Sequence, residues 1–255
     1  MHIYSFKFRT LKIILLITLV VVMLAVSING NVAASVYFGN ALRQVPIYYV
    51  NTDEKKVAIS FDAAWGTDKT EDIMNICKEY GVNATFFLVG FWVEDYSEMT
   101  KKISDNGFEI GTHTNTHPDM TKLSANEQKM ELETSMNLIT KITNKKVELF
   151  RAPYGAYNDT LINTATSLGL KTIQWDVDTL DWKGLSAMEI VNRVLNSVKN
   201  GSIILCHNNA DHIVEALPIL LDRLQKRGYI VTSVGDVVLE GEYVVDNNGM
   251  QSAKI

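Results

Sequence analysis

Cysteine is nearly absent from this chain: Cys77 and Cys206 are the two present in 255 residues. That excludes a disulfide framework, and since both lie in apolar runs they read as free core thiols. An excess of charge of one sign is also lacking. A formal net charge of −5, with 21% charged residues, supplies no basic surface, so no nucleic acid partner is expected. The four prolines are scattered, and no linker splits the chain beyond residue 54. The length suffices for one large domain with a full core.

Long hydrophobic runs are lacking too, with one exception. Lys7, Arg9 and Lys12 precede an uncharged run from Ile13 to Ile28 that has no polar face. A basic flank followed by such a run is an export signal. Residues 1–34 are therefore expected to form either a signal peptide, cleaved near Val32-Ala33-Ala34, or an uncleaved transmembrane anchor. Both place the remainder outside the cytoplasm, held at the membrane or released into the cell wall.

Residues 35–54 read as a connecting segment, with Ile47 to Val50 as an edge strand. From residue 55 to about 240, apolar β-forming stretches alternate with amphipathic ones. Strands are expected at 57–61, 84–89, 108–112, 147–150, 171–175, 202–206 and 229–234. Two of the intervening helices open with Ser-x-x-Glu capping boxes, Ser124 with Glu127 and Ser186 with Glu189. This pattern predicts an α/β fold, a single distorted (β/α) barrel of about seven parallel strands. Residues 241–255 read as a loose polar tail.

In such barrels chemistry sits on the loops after the strands, and the unusual polar residues fall there. Asp62 follows the first strand. His113 and His117 follow the third, Arg151 in Arg-Ala-Pro-Tyr the fourth, and Asp176, Asp178, Asp181 and Trp182 the fifth. His207, after Leu205-Cys206, ends the sixth. Two histidines four apart suit a divalent metal, although an isolated pair also reads as a solvated loop. Asp176 and Asp178 read as turn carboxylates. Five ionisable strand ends in succession are hard to explain as a solvated rim.

Taken together these stretches resemble the polysaccharide deacetylase family, or NodB-homology domain, over residues 57–234. The residues that carry the resemblance are Phe61-Asp62-Ala63, His113-Thr114-Asn115-Thr116-His117, Arg151-Ala152-Pro153-Tyr154, Asp178-Thr179-Leu180-Asp181-Trp182 and Leu205-Cys206-His207. The first of these, with Trp65-Gly66 after it, looks most like the sporulation-associated, PdaB-like branch, which implies a part in spore-wall formation. The resemblance implies hydrolytic removal of acetyl groups from N-acetylated amino sugars in peptidoglycan or a chitooligosaccharide-like glycan. It implies Asp62 as base, Arg151 as its orienting cation, His207 as acid and Asp181 as the partner of that acid. His113 and His117 would bind a divalent metal, expected to be zinc. The backbone N–H of Tyr154 would hold the oxyanion, and Trp182 and Leu205 would wall the acetyl group.

One position departs from the family pattern. Where the family supplies a further metal-ligating carboxylate, this chain has Ala63. Weakened metal binding is expected. A second reading follows from the same residue: a glycan-binding relative with weak or no catalysis. A different metallohydrolase on a parallel barrel is a third, since fold alone does not fix function.

Overall fold

A computed structural model describes residues 12–20 and 43–254. The small-residue stretch at 32–34 and residues 21–28 of the apolar run lie outside the described residues. Residues 12–20 are helical with exposed side chains. Among the described residues no helix is long and apolar enough to cross a membrane. The chain divides into two units, Met1–Arg43 and Gln44–Ile255, and the second carries everything that follows.

Its framework is a curled parallel sheet. The strands are β2 (Lys56–Ala63), β3 (Thr85–Leu88), β4 (Glu109–Thr112), β5 (Leu149–Phe150), β6 (Lys171–Thr172), β7 (Val177–Asp178) and β8 (Ile203–His207), in the order β6-β5-β4-β3-β2-β8-β7. A further strand, β9 (Ile230–Thr232), pairs with the first residues of β2. Between them run α1 (Thr70–Glu79), α2 (Gly90–Asp95), α3 (Ser97–Asp105), α4 (Ala125–Thr143), α5 (Asp159–Ser167), α6 (Ala187–Ser197) and α7 (Ile213–Lys226). Both expected capping boxes form, at the starts of α4 and α6. Each such cap stabilises its helix by about 1 kcal/mol.

The central strand shows how the sequence builds two cores. Side chains alternate across a strand. Val57, Ile59, Phe61 and Ala63 of β2 join the large apolar cluster with the helices. Ala58 joins a second cluster with Phe87, Leu149, Ile173 and Ile203 on the inner face of the curl. Being covered on both faces, β2 is buried at every position but its first, which is why it reads as a near-continuous apolar run. Ser60 and Asp62 continue the inner face, so a dry base gives way to a polar mouth at the strand ends.

Four features differ from the sequence reading. The barrel is not closed by its parallel strands alone. The segment expected as a connector bridges the gap instead: Ile47 forms a parallel bridge to Ile173, and Tyr49 an antiparallel one to Ser202. Gly201 permits this approach, because a Cβ there would lie 1.8 Å from the Val50 carbonyl oxygen. The supposed polar tail is also structured. β10 (Tyr243–Val245) and β11 (Met250–Ala253) form a hairpin, and β11 pairs in parallel with β1 (Tyr49–Val50). Strand β7 is additional, held beside β8. So is α2, a short helix directly after β3.

Candidate active site

Asp62 stands one residue before the end of β2, and its register partner on β8 is His207. Neighbouring parallel strands in register put both side chains on the inner face at the same height. The N–H of Asn208 donates to the Asp62 carbonyl at 3.1 Å, fixing the backbone of β8 against β2 just past His207.

Around Asp62 the groups are closely held. Its Oδ1 accepts from Arg151 Nη1 at 2.8 Å, and its Oδ2 lies 3.6 Å from His113 Nε2. Arg151 is fully buried. Its Nη2 donates to the Gln174 carbonyl at 3.2 Å, and its guanidinium carbon sits 4.1 Å from the centre of the Phe87 ring. Burial alone would raise the Asp62 pKa. The charge of Arg151, foremost, and the neighbouring His113 and His207 rings outweigh it and hold the carboxyl below its ordinary value. Asp62 is therefore an ionised carboxylate in a nearly dry site.

His113 and His117 follow β4, with ring centroids 4.9 Å apart. His113 Nδ1 lies 2.8 Å from the Arg151 carbonyl oxygen. A carbonyl only accepts, so Nδ1 carries the proton and the Nε2 lone pair is free. The Tyr154 hydroxyl donates to the His117 carbonyl at 3.3 Å and lies 3.2 Å from His117 Nδ1. With the hydroxyl proton given to that carbonyl, its oxygen can accept from His117 Nδ1–H, an arrangement that leaves Nε2 free. This is the outer-shell pattern that prepares imidazole for a metal. Burial drives both pKa values down, that of His117 to about 4 with help from the charge of His113. Both rings are thus neutral near pH 7.

A divalent metal would find two imidazole donors here, one fewer than the three protein donors usual at a catalytic zinc. Two free imidazole nitrogens suit zinc. Ala63, however, is fully buried in the large apolar cluster and offers nothing. Among the described residues no group of three His, Cys, Asp or Glu side chains converges as a complete metal site. Asp62 is the carboxylate nearest to the pair, and it already serves Arg151.

His207 has its own partner. Asp181 accepts twice: from the His207 ring at 2.7 Å and from its backbone N–H at 2.8 Å. Asp181 is almost wholly buried, in a short turn set by Leu180 at φ 51°. Burial lowers the His207 pKa, but the bond and charge of Asp181, with Asp62 and Asp178 behind it, raise it above the ordinary value. With Nδ1–H committed to Asp181, Nε2 is the position from which His207 can give a proton.

The remaining expected residues divide. Tyr154 is 71% exposed and takes the left-handed conformation at φ 61° after Pro153. Trp182 is exposed at the rim beside Asp181. Leu205 is buried on the inner face of β8, opposite Ser60 and one step below His207. Asp176 accepts from Ser202 Oγ and Ile203 N–H, and Asp178 from Leu180 N–H, so both hold local structure. Trp65 was missed. Its ring is 58% exposed and 5.3 Å from that of His117. Its loop is pinned because the next carbonyl, of Gly66, accepts from both Trp92 Nε1 and Asn208 Nδ2. An exposed tryptophan directly after Asp62-Ala63-Ala64 was the available signal.

Comparison with known proteins identifies the family. The family model described as Polysaccharide deacetylase matches residues 49–173. The peptidoglycan N-acetylmuramic acid deacetylase PdaA of Bacillus subtilis is 31% identical over 199 residues, covering 76% of each chain. The chain belongs to the polysaccharide deacetylase family. An uncharacterized protein, YlxY, of B. subtilis is 33% identical over 213 residues, covering 84% of this chain and 66% of that one. Among solved structures, a family 4 carbohydrate esterase (CE4) pseudoenzyme from Bacillus anthracis superposes with a TM-score of 0.74 at 34% identity. The match covers 76% of this deacetylase-family chain and 68% of the pseudoenzyme. A mutant of that protein with restored enzymatic activity superposes equally well, at 35% identity over 76% of this chain and 71% of the mutant.

Proposed function

We propose that this chain removes acetyl groups from N-acetylated amino sugars of peptidoglycan or a related glycan, outside the cytoplasm. The observation that carries the reading is the pairing of two oppositely tuned groups. Asp62 is held ionised and the surroundings of His207 favour its protonated form, on adjacent strand ends. Groups whose environments push their protonation apart are what acid–base hydrolysis of an amide requires. Export is supported by the basic flank and apolar run at the N-terminus. The altered Phe61-Asp62-Ala63 motif and the Trp65-Gly66 that follows support a place in spore-wall formation.

In this mechanism Asp62 takes a proton from the attacking water, with Arg151 keeping the carboxylate aimed and charged. The backbone N–H of Tyr154 steadies the oxyanion that forms on the acetyl carbonyl. His207 Nε2 then protonates the sugar nitrogen as the C–N bond breaks, releasing acetate and a free amine. Asp181 stabilises the cation until that transfer. A divalent metal, expected to be zinc, held by His113 and His117 through Nε2 would supply Lewis acidity to the water and the carbonyl. Trp65, Tyr154 and Trp182 give exposed aromatic faces for sugar rings around the mouth.

A second reading rests on Ala63 and on the pseudoenzyme among the similar structures: a glycan-binding relative with little catalysis. Retention of the matched base and acid favours the enzyme, because a binder needs neither. Acetate release from N-acetylglucosamine oligomers and from peptidoglycan, with zinc supplied, separates the two. The enzyme reading expects release that falls at least a hundredfold in Asp62→Asn. Equal rates for the two proteins, with glycan binding retained, would establish the binder.

A further inference from the structure

We infer that Glu131, on the second turn of α4, is a positioning residue for the histidine loop. The loop between β4 and α4 carries His117 in a left-handed conformation, φ 58°, and Thr114 at φ 71°. Both are unfavourable for residues with a side chain, so something outside the loop must hold them. Glu131 does so with one carboxylate. Its Oε2 accepts from the N–H of Asn115 at 2.9 Å and of Thr116 at 2.8 Å, and its Oε1 accepts from Thr116 Oγ1 at 2.7 Å.

The other side of the loop is clamped by the start of α2. The N–H groups of Gly90 and Phe91 donate to the carbonyls of Thr114 and Asn115, at 2.9 and 3.1 Å. Gly90 fits that role, since a Cβ there would lie 2.2 Å from Asn115 Oδ1. Within the loop, His117 N–H donates to Thr114 Oγ1 at 3.0 Å. The donors of residues 115 and 116 therefore converge on Glu131, and the acceptors of residues 114 and 115 on α2. Glu131 touches neither histidine ring. It acts through the backbone that aims His117 beside His113, one step further out than the groups that bond a ligand ring directly, whose loss typically costs ten- to a hundredfold in metal affinity.

The inference rests on the proposal that His113 and His117 hold a metal, so its test includes a reading that needs none. In the full chain, Glu131→Ala is compared with Glu131→Gln and with Glu133→Ala, which removes a partner of Lys129 on the same helix. Zinc affinity is read by competition with a chromophoric chelator, and amide hydrogen exchange is read on the metal-free proteins. Glu131→Ala is expected to lose at least tenfold in zinc affinity and at least tenfold in protection of the Asn115 and Thr116 amides. Glu131→Gln, which keeps an oxygen for the two amides and can donate to the threonine hydroxyl, is expected to stay within threefold on both. Glu133→Ala is expected to match the parent. Zinc affinity of Glu131→Ala within twofold of the parent would overturn the inference, whatever the variant does to thermal stability. If the parent protein binds no zinc, the metal reading fails, and the exchange data judge Glu131 separately: unchanged protection at 115 and 116 overturns it. Should the alanine variant fail to fold, Glu131→Asp withdraws the carboxylate by one carbon and is read in the same two ways.

Discussion

Asp62 and His207 lie opposite one another on adjacent parallel strands, one residue from the end of β2 and at the end of β8. Each has a buried partner of opposite charge: Arg151 for the aspartate and Asp181 for the histidine. In the proposed mechanism the two ion pairs are the base and acid sides of one site, with His113 beside the first. Each pair is expected to report its role in a separate measurement.

Removing the carboxylate strands a charge. Arg151 is fully buried, and Asp62 Oδ1 is its ion-pair partner. Asp62→Ala is expected to cost about 3–5 kcal/mol in urea unfolding, because a buried guanidinium is left uncompensated. A loss below about 1 kcal/mol would show that Arg151 finds other stabilisation, and the account of the pair would be wrong.

In the proposed deacetylation the acid side sets the alkaline limb of activity. His207 must be cationic to protonate the leaving amine, and its pKa is raised above the ordinary 6.5. Deacetylation is therefore expected to fall on the alkaline side as the pH rises through that raised value. Asp181→Asn removes the opposing charge and leaves burial, which acts in the other direction. The alkaline limb of the kcat profile should move to lower pH. A limb that stays in place would show that a group other than His207 is titrating.

Ala63→Asp adds a carboxylate at a fully buried position beside Asp62. Without metal it is expected to destabilise the fold by about 2–4 kcal/mol, as an unpaired buried charge does. Bound zinc should recover much of that, since a ligand that binds the folded state raises its stability. Thermal denaturation with and without zinc is the measurement. A zinc-induced rise in Tm no larger than that of the parent would mean the new carboxylate does not reach the histidine pair.

Trp65 stands exposed beside His117. If its face carries a sugar ring, Trp65→Ala should raise KM for glycan oligomers about fivefold to tenfold, equivalent to about 1 kcal/mol of aromatic contact. The kcat should stay within twofold. A fall in kcat at constant KM would instead place Trp65 in support of the histidine loop.

Much of this was legible in the residues because the strands that carry chemistry are apolar runs with ionisable ends. β2 could be read from Val57 to Phe61 because both its faces are buried. Both helix starts with Ser-x-x-Glu could be read because the cap is a local interaction. Strands of two residues, such as β7, show no periodicity. The β10–β11 hairpin reads as a tail because its two short strands flank the polar stretch Asp246-Asn247-Asn248-Gly249 and its pairing with Tyr49–Val50 spans about two hundred positions. Closure of the curl by Ile47 depends on the same kind of distant contact. Glu131 was silent for another reason: nothing in a helical Met-Glu-Leu-Glu stretch tells which carboxylate meets a loop behind it.

The central claim is that Asp62 and His207 work on one substrate in one cleft. A cycle of acetate-release rates for the parent, Asp62→Asn, His207→Ala and the double variant, at saturating zinc, tests it most directly. The account predicts that each single change removes most of the activity and that the double variant is no slower than the slower single one, as for groups acting as a unit. Losses that multiply in the double variant, or rates that match the parent in either single one, would contradict it.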